Sequence, residues 1–201
     1  MSKSQPARLS VVRTEQVAPS LLRVVLGGDG FDTFLERHRA LGDVTDSYVK
    51  LVFLADGYEY PDPLDLDVVR EEMPDAAAPV LRTYTIRSVD PVAREVAIDF
   101  VVHAGDDPHT TEAGVAAPWA LSARPGDVMH LRGPGGAYGP DPTADWHLMV
   151  GDETAIPAIS VAIEALPAGA RAAVFIEVDG PADEIGWDTA ADLEVHWLHR
   201  D

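Results

Sequence analysis

Arg82-Thr83-Tyr84-Thr85-Ile86-Arg87 is the stretch on which the reading of the fold turns. Its β-branched and aromatic residues favour an extended backbone. In a strand the side chains alternate, so Arg82, Tyr84 and Ile86 share one face. A guanidinium two residues from a phenol suits a flavin nucleotide. The arginine can grip a pyrophosphate through two parallel hydrogen bonds, the tyrosine ring can pack on the flavin or its ribityl chain, and the neighbouring Thr85 hydroxyl can reach flavin N5. The same pattern also fits a half-exposed edge strand. Taken alone, the six residues do not separate the two.

Outward from this stretch, the flanking sequence is rich in short strands. Leu9–Val12 and Leu21–Leu26 are separated by a turn at Ala18-Pro19-Ser20, and Gly27-Gly28-Asp29-Gly30 breaks the second of them. A short helix is expected around Phe31–Leu35, then a strand over Tyr48–Leu54. Residues 55–78, with several prolines and acids, predict a long loop whose acidic run Asp62–Asp75 forms a solvated face. Val80–Ser88 and Glu95–His103 are expected strands joined at Asp90-Pro91, and Val128–Arg132 is another, opened by Pro125-Gly126-Asp127. Short strands with frequent turns favour a barrel or sandwich.

The pattern changes near residue 143. Trp146-His147-Leu148-Met149-Val150 reads as a strand buried on both faces. Gly151-Asp152-Glu153-Thr154 follows, then a helix with Ile156, Ile159 and Ile163 at helical spacing and Pro157 in its first turn. Ala172–Val178 and Leu193–Leu198 are two further apolar strands, and the set predicts a parallel α/β unit. The expected architecture is therefore mainly β plus α/β: a Greek-key antiparallel β-barrel over residues 1–142, followed by a shortened parallel α/β nucleotide-binding domain over 143–201. A parallel sheet of three strands should have one face or edge poorly covered.

Composition bounds the function. There are 15 basic and 34 acidic residues, a formal net charge of -19. Such a surface repels nucleic acid and anionic lipid, so neither is an expected partner. Only Lys3 and Lys50 are lysines, and an anionic ligand must meet a local basic pocket. The absence of cysteine rules out thiolate catalysis, disulfides and iron–sulfur ligation. The first residues lack the apolar core of a signal peptide, and no run approaches the ~18 apolar residues of a membrane span, so a cytoplasmic location and a monomer are expected. His38, His103, His109, His130, His147, His196 and His199 show no metal spacing, and no metal site is expected. Asp106-Asp107 reads as a turn. Glu177 and Asp179 stand where an acid can hold a ribose, although a plain surface role fits both.

Other segments carry chemistry in order along the chain. Ile98-Asp99-Phe100-Val101-Val102-His103 is a strand ending in histidine. Gly114-Val115-Ala116-Ala117-Pro118-Trp119-Ala120 offers a turn opening a short helix, with backbone N–H groups free for a phosphate. Leu131-Arg132-Gly133-Pro134-Gly135-Gly136 resembles a phosphate loop but lacks the following Lys-Ser/Thr, and reads as the exit of the barrel. Gly151-Asp152-Glu153-Thr154-Ala155-Ile156-Pro157-Ala158 is a strand–turn–helix junction at the carboxyl end of a parallel strand, where open α/β sheets bind ligands.

Arg-x-Tyr-Thr-x-Arg, Asp-Phe-Val-x-His, Gly-x-x-x-x-Trp-Ala, Gly-Pro-x-Gly and Gly-Asp-Glu-Thr-Ala-x-Pro-Ala, in this order, resemble the siderophore-interacting protein family. The likeness runs from about residue 8 to residue 200. These are FAD-containing ferric-siderophore reductases, related in fold to ferredoxin–NADP reductases. The resemblance implies that Arg82 binds the FAD pyrophosphate, Tyr84 packs on the flavin and Thr85 sits by N5 as the catalytic contact. It implies a cofactor surface that includes Thr83, Arg87, Asp99, Val101, His103 and Trp119. Gly114, Ala116 and Ala117 would offer backbone N–H groups to the phosphates, with Ala117 standing where the family usually has serine. Asp152, Glu153, Thr154 and Ala155 would form the turn over the cofactor, where a nicotinamide could approach. Lys50 and Arg132 would hold the anionic ferric siderophore.

The implied activity is FAD-dependent reduction of ferric siderophores with NAD(P)H or ferredoxin as donor, releasing Fe(II) for iron acquisition. Family members continue with another helix, a Trp-x-Ala-Gly-Glu-like segment and an aromatic C-terminus, which this sequence does not include. Two alternatives therefore stay open: a flavin- and siderophore-binding module with little NAD(P)H activity, and a general flavin or ferredoxin-type reductase.

Overall fold

A computed structural model of the chain describes residues 5–103 and 114–200. The turn expected at Asp106-Asp107, and His109, lie outside them. Seven strands form one antiparallel sheet. β1 (Ala7–Ala18) and β2 (Leu21–Gly27) make a hairpin, and α1 (Phe31–Arg39) leads to β3 (Tyr48–Phe53). After α2 (Leu66–Glu72) come β4 (Val80–Thr85), β5 (Ser88–Asp90) and β6 (Glu95–Val101), then α3 (Ala116–Ser122) and β7 (Val128–Gly135). The order across the sheet is β4-β3-β7-β1-β2-β6-β5. β4 pairs with β3, while β5, two residues further along the chain, pairs with β6. The Arg87 amide donates to the Ala97 carbonyl at 2.9 Å. The segment 80–90 thus closes the sheet into a barrel, and closure removes the free edges that an open sheet would present. The crossovers β2→β3 and β6→β7 give it Greek-key connectivity.

The barrel is filled by inward residues of every strand, among them Leu9, Val24, Leu26, Val49, Leu51, Ile98, Phe100 and Leu131, with Phe31 and Phe34 of α1 plugging one end. Gly30, just before α1, lies against the main chain of β1. A Cβ there would stand 2.4 Å from the Arg8 carbonyl oxygen, so only glycine admits this approach.

The segment 55–78 departs from the expected loop. Leu66–Glu72 is helical and Asp75–Ala77 forms a single 3-10 turn. The Asp65 carboxylate caps α2 by accepting from the amides of Asp67 (2.9 Å) and Val68 (3.5 Å). The helix has seven residues and buries only Val69 fully, too little to show a 3.6-residue period in a stretch broken by prolines. Leu64 and Val69 pack on outward-facing Val52 of β3 as a small satellite core.

The second sheet is parallel, in the order β10-β9-β8, from β8 (His147–Asp152), β9 (Arg171–Val178) and β10 (Asp192–His199). α4 (Ile156–Glu164) connects β8 to β9 and covers one face. The opposite face is open, as expected for so small a sheet, so β8 is not buried on both faces as its continuous apolar run suggests: Leu148 and Val150 are 55% and 67% exposed. The core under α4 includes Ala18 and Leu21 from the barrel beside Ile156, Ile163, Val174 and Ile176. Two polar links reinforce that contact. The Ser20 amide donates to the buried Asp183 carboxylate at 2.7 Å, and Arg87 forms a two-armed ion pair with Glu164 of α4 at 2.5 and 2.9 Å. No helix among the described residues is long and apolar enough to cross a membrane.

Candidate functional site

Between the two sheets lies a cleft of about 250 Å3, lined by Arg82, Thr83, Tyr84, Thr85, Asp99, Val101, Thr154 and Pro157. β4 supplies four of these residues in a row, and its alternation grades them. Ile86 is buried in the barrel, Tyr84 is half-buried and Arg82 is exposed. Tyr84 rests on Phe100 of β6 (ring centroids 4.5 Å apart), and Phe100 in turn meets Trp119 of α3 at 5.6 Å. This aromatic ladder holds the phenol in place. Burial pushes the Tyr84 hydroxyl pKa up, with Arg82 opposing, so the ring stays neutral at working pH.

The Arg82 guanidinium donates to the adjacent Leu81 carbonyl at 3.1 Å and has no carboxylate partner among the described residues. In a chain with 34 acids, an unpaired exposed arginine on a cleft wall is an available anion site. Thr83 and Thr85 add hydroxyls able to donate or accept, and the Thr154 hydroxyl, which donates to Asp152, can still accept. A cleft with a cation at one end, a half-buried ring and hydroxyl walls fits a flavin nucleotide.

The opposite wall is built by the β8–α4 junction. The Asp152 carboxylate accepts from the Thr154 amide (2.9 Å) and hydroxyl (2.5 Å), and its main-chain carbonyl takes the Ala155 amide at 3.0 Å. The Thr154 hydroxyl holds the Asp152 carboxyl below the usual carboxylate range. Asp152 and Ala155 therefore shape the turn, while Thr154 and Pro157 face the cleft. Gly151 permits the turn. A Cβ on it would lie 2.3 Å from the Ala155 Cβ and 3.3 Å from the Ile159 Cδ1. Gly151→Ala should push the first turn of α4 away from β8, destabilising the fold by about 1–3 kcal/mol as read by urea denaturation. An unchanged midpoint would show that the turn is not tight.

The other expected residues are placed elsewhere or are already engaged. Asp99 lines the cleft, but its side chain is 1% exposed and is gripped by Arg23 of β2 through bonds of 2.6 and 2.9 Å. Arg87 is held by Glu164. Gly114 takes a positive φ of 78° just before α3, and Ala116 and Ala117 are buried in the barrel core at the start of that helix. Trp119 reaches the cleft only through Phe100 and Tyr84. His103 is exposed at the end of the β6 segment, outside the cleft lining. Lys50 and Arg132 stand beside the cleft rather than in it, in register with each other and with Thr83.

The sequence reading gave Pro157 only a place in the first turn of α4, and gave Phe100, Arg23, Glu164 and Arg200 no role. Phe100 had a signal, since it alternates with Asp99 in the motif. The arginine–carboxylate pairings join residues far apart in the chain and had none. Arg200, beyond β10, gathers three acids at the carboxyl ends of the parallel strands. It bonds both oxygens of Glu153, which is 2% exposed, and reaches Glu177 at 2.7 Å and Asp179 at 2.9 Å. These contacts raise the Arg200 pKa further. Glu177 and Asp179 are thus ion-paired.

Comparison with known proteins places the chain. The Siderophore-interacting FAD-binding domain matches residues 10–138, and the Siderophore-interacting protein model matches residues 144–201. The chain belongs to the siderophore-interacting protein family. A Mycobacterium tuberculosis relative, Rv2895c, is 51% identical over 193 residues, covering 94% of this chain and 64% of its own length. The ferric vibriobactin reductase ViuB of Vibrio cholerae is 37% identical over 202 residues, covering 98% of this chain and 67% of ViuB. A siderophore utilization protein from T. fusca superposes with a TM-score of 0.74 at 32% identity, over 96% of this chain and 69% of that one. This siderophore-interacting chain thus spans about two thirds of the length of the relatives it matches. FAD is the cofactor of the family's barrel domain.

Proposed function

We propose that the protein is an FAD-dependent ferric-siderophore reductase, with the barrel (residues 1–142) holding the flavin and residues 143–201 presenting the donor side. One observation carries the substrate. Lys50 and Arg132 are direct cross-strand partners on the outer face of the barrel, and Lys50 is also paired with cleft-lining Thr83. Like charges directly opposite on a sheet are destabilising. Neither side chain has a hydrogen bond or ion pair among the described residues, although the chain carries 34 acids. Two unneutralised cations beside a flavin cleft suit an anionic iron chelate. The name of ViuB, a ferric vibriobactin reductase, supports the same reading.

FAD, when bound, supplies acceptance of two electrons at N5 and their release one at a time. The protein's residues do the rest. Arg82 neutralises the pyrophosphate and Tyr84 supports the ring. Thr85 offers its hydroxyl toward N5, and Lys50 with Arg132 keeps the ferric centre near the cleft. Asp152 and Thr154 fix the turn on the donor side, which receives NAD(P)H or a ferredoxin. Outer-sphere electron transfer to Fe(III) requires no general acid or base, and the carboxylate in the cleft lining, Asp99, is held by Arg23.

The test bypasses the donor. Photoreduced protein is mixed anaerobically with ferric chelates, and flavin reoxidation is followed. The double variant Lys50→Ala/Arg132→Ala should raise the chelate concentration for half-maximal rate at least about tenfold, as for loss of two charged contacts, with flavin content unchanged. An unaltered concentration dependence would remove the pair from the substrate site.

A further inference from the structure

A second cleft, of about 310 Å3, opens on the outer face of the barrel immediately beyond Arg132. Its walls include Leu66 and Val69 from α2, Met73 just beyond that helix, Pro79 just before β4, Leu81 within β4, and Arg132 itself. Register fixes its relation to the flavin site. On the outward face, Thr83, Lys50 and Arg132 form one row across β4, β3 and β7. Leu81, Val52 and His130 form the next row, two residues along each strand. The cation pair therefore sits between the flavin cleft on one side and this second cleft on the other.

The chemistry of the walls selects an occupant. Arg70 is tied to Asp67 at 2.8 Å, and Asp67 and Asp75 also border the space, so a second anionic group is disfavoured there. The aliphatic side chains, the prolines and the Met73 thioether suit a flat apolar ring. Arg132, at the boundary, can stack its guanidinium on a ring face while meeting an anionic chelate with its edge. An apolar cavity of about 150 Å3 takes a benzene ring, so this cleft has room for one substituted ring or two.

We propose that this cleft is a subsite for an uncharged aryl arm of the ferric chelate, and that the α2 segment thereby sets which siderophores are taken. The inference rests on the proposed reductase function, because the arm enters the subsite only when its iron centre is held at Lys50 and Arg132.

The probes are the ferric tris-complexes of N-methyl- and N-benzyl-2,3-dihydroxybenzamide, which share iron donors and charge and differ by a phenyl ring on each arm. Their dissociation constants are measured on the FAD-loaded protein by equilibrium dialysis. The N-benzyl complex should bind about tenfold more tightly, as expected for burying one ring. Ala78→Trp, which places an indole into the cleft from an exposed lining position, should bring the ratio to about one. Met73→Ala, which widens the cleft without filling it, should retain most of the preference. Equal binding of the two chelates by the parent protein would overturn the subsite, as would a preference that survives Ala78→Trp. If the parent shows no preference but Lys50→Ala weakens both complexes, the subsite fails and the anchoring cations stand. If the parent binds neither complex, the reading beneath the subsite fails with it.

Discussion

Arg82→Ala is expected to purify largely free of flavin, with FAD affinity lowered about 10- to 100-fold. The estimate follows from the contact removed. A charge-assisted hydrogen bond contributes about 1.5–3 kcal/mol, and each 1.4 kcal/mol is a factor of about ten. The position isolates binding from folding. Arg82 is exposed, and among the described residues the hydrogen bond it would lose is the one to the carbonyl of its own neighbour. The apo variant should therefore unfold at the same urea concentration as apo parent protein, while the extra stability conferred by added FAD should shrink in proportion to the lost affinity. Titration of apo protein with FAD, followed by flavin fluorescence, measures the first quantity. A dissociation constant equal to the parent's would detach Arg82 from the cofactor.

The second large effect is structural. Asp99 faces Arg23 across β2 and β6, and among the described residues their two-armed pair neutralises a carboxylate with 1% of its side chain exposed. Arg23→Ala leaves that charge buried and alone. Breaking such a pair from one side costs about 3–5 kcal/mol, and replacing both partners by apolar residues of similar volume restores much of it. Arg23 is partly exposed, so the lower end, about 3 kcal/mol, is expected. Urea denaturation of Arg23→Ala and of Arg23→Met/Asp99→Leu makes the comparison. A single variant as stable as its parent would mean that water reaches Asp99 freely. Because Asp99 also lines the proposed flavin cleft, the single variant should bind FAD more weakly as well.

Local pattern carried most of the architecture. The strands were legible because their β-branched and apolar runs are bounded by Gly, Pro and Asp. The β8–α4 junction was legible because Gly151 and Pro157 are residues that only a few backbone geometries favour. The α2 helix was not, since seven residues with one fully buried side chain leave no periodic trace. At the site, Arg82, Thr83, Tyr84, Thr85, Asp99, Val101 and Thr154 meet at one cleft, having been expected there from motif order. Arg87 and Asp99 show where such reading reaches its limit. Motif position places a side chain near a ligand, but its true partner can be another residue 76 or 77 positions away. Nothing in the local sequence announces Arg23 to Asp99 or Glu164 to Arg87. The cleft beside Arg132 was hidden for the same reason, because it exists only once α2 folds back over β3 and β4.

Ala18 and Leu21, at the tip of the first hairpin, have a consequence beyond packing. They belong to the barrel by chain connection and to the parallel unit by contact. A cluster owned by both parts makes their melting a joint event. FAD bound at the proposed cleft should therefore slow hydrogen exchange of distant backbone amides on the far strands of the parallel sheet, although no atom of the cofactor need approach them. Under the proposed function, the iron-reducing side and the donor side are then coupled through this shared cluster and the Ser20–Asp183 and Arg87–Glu164 links beside it.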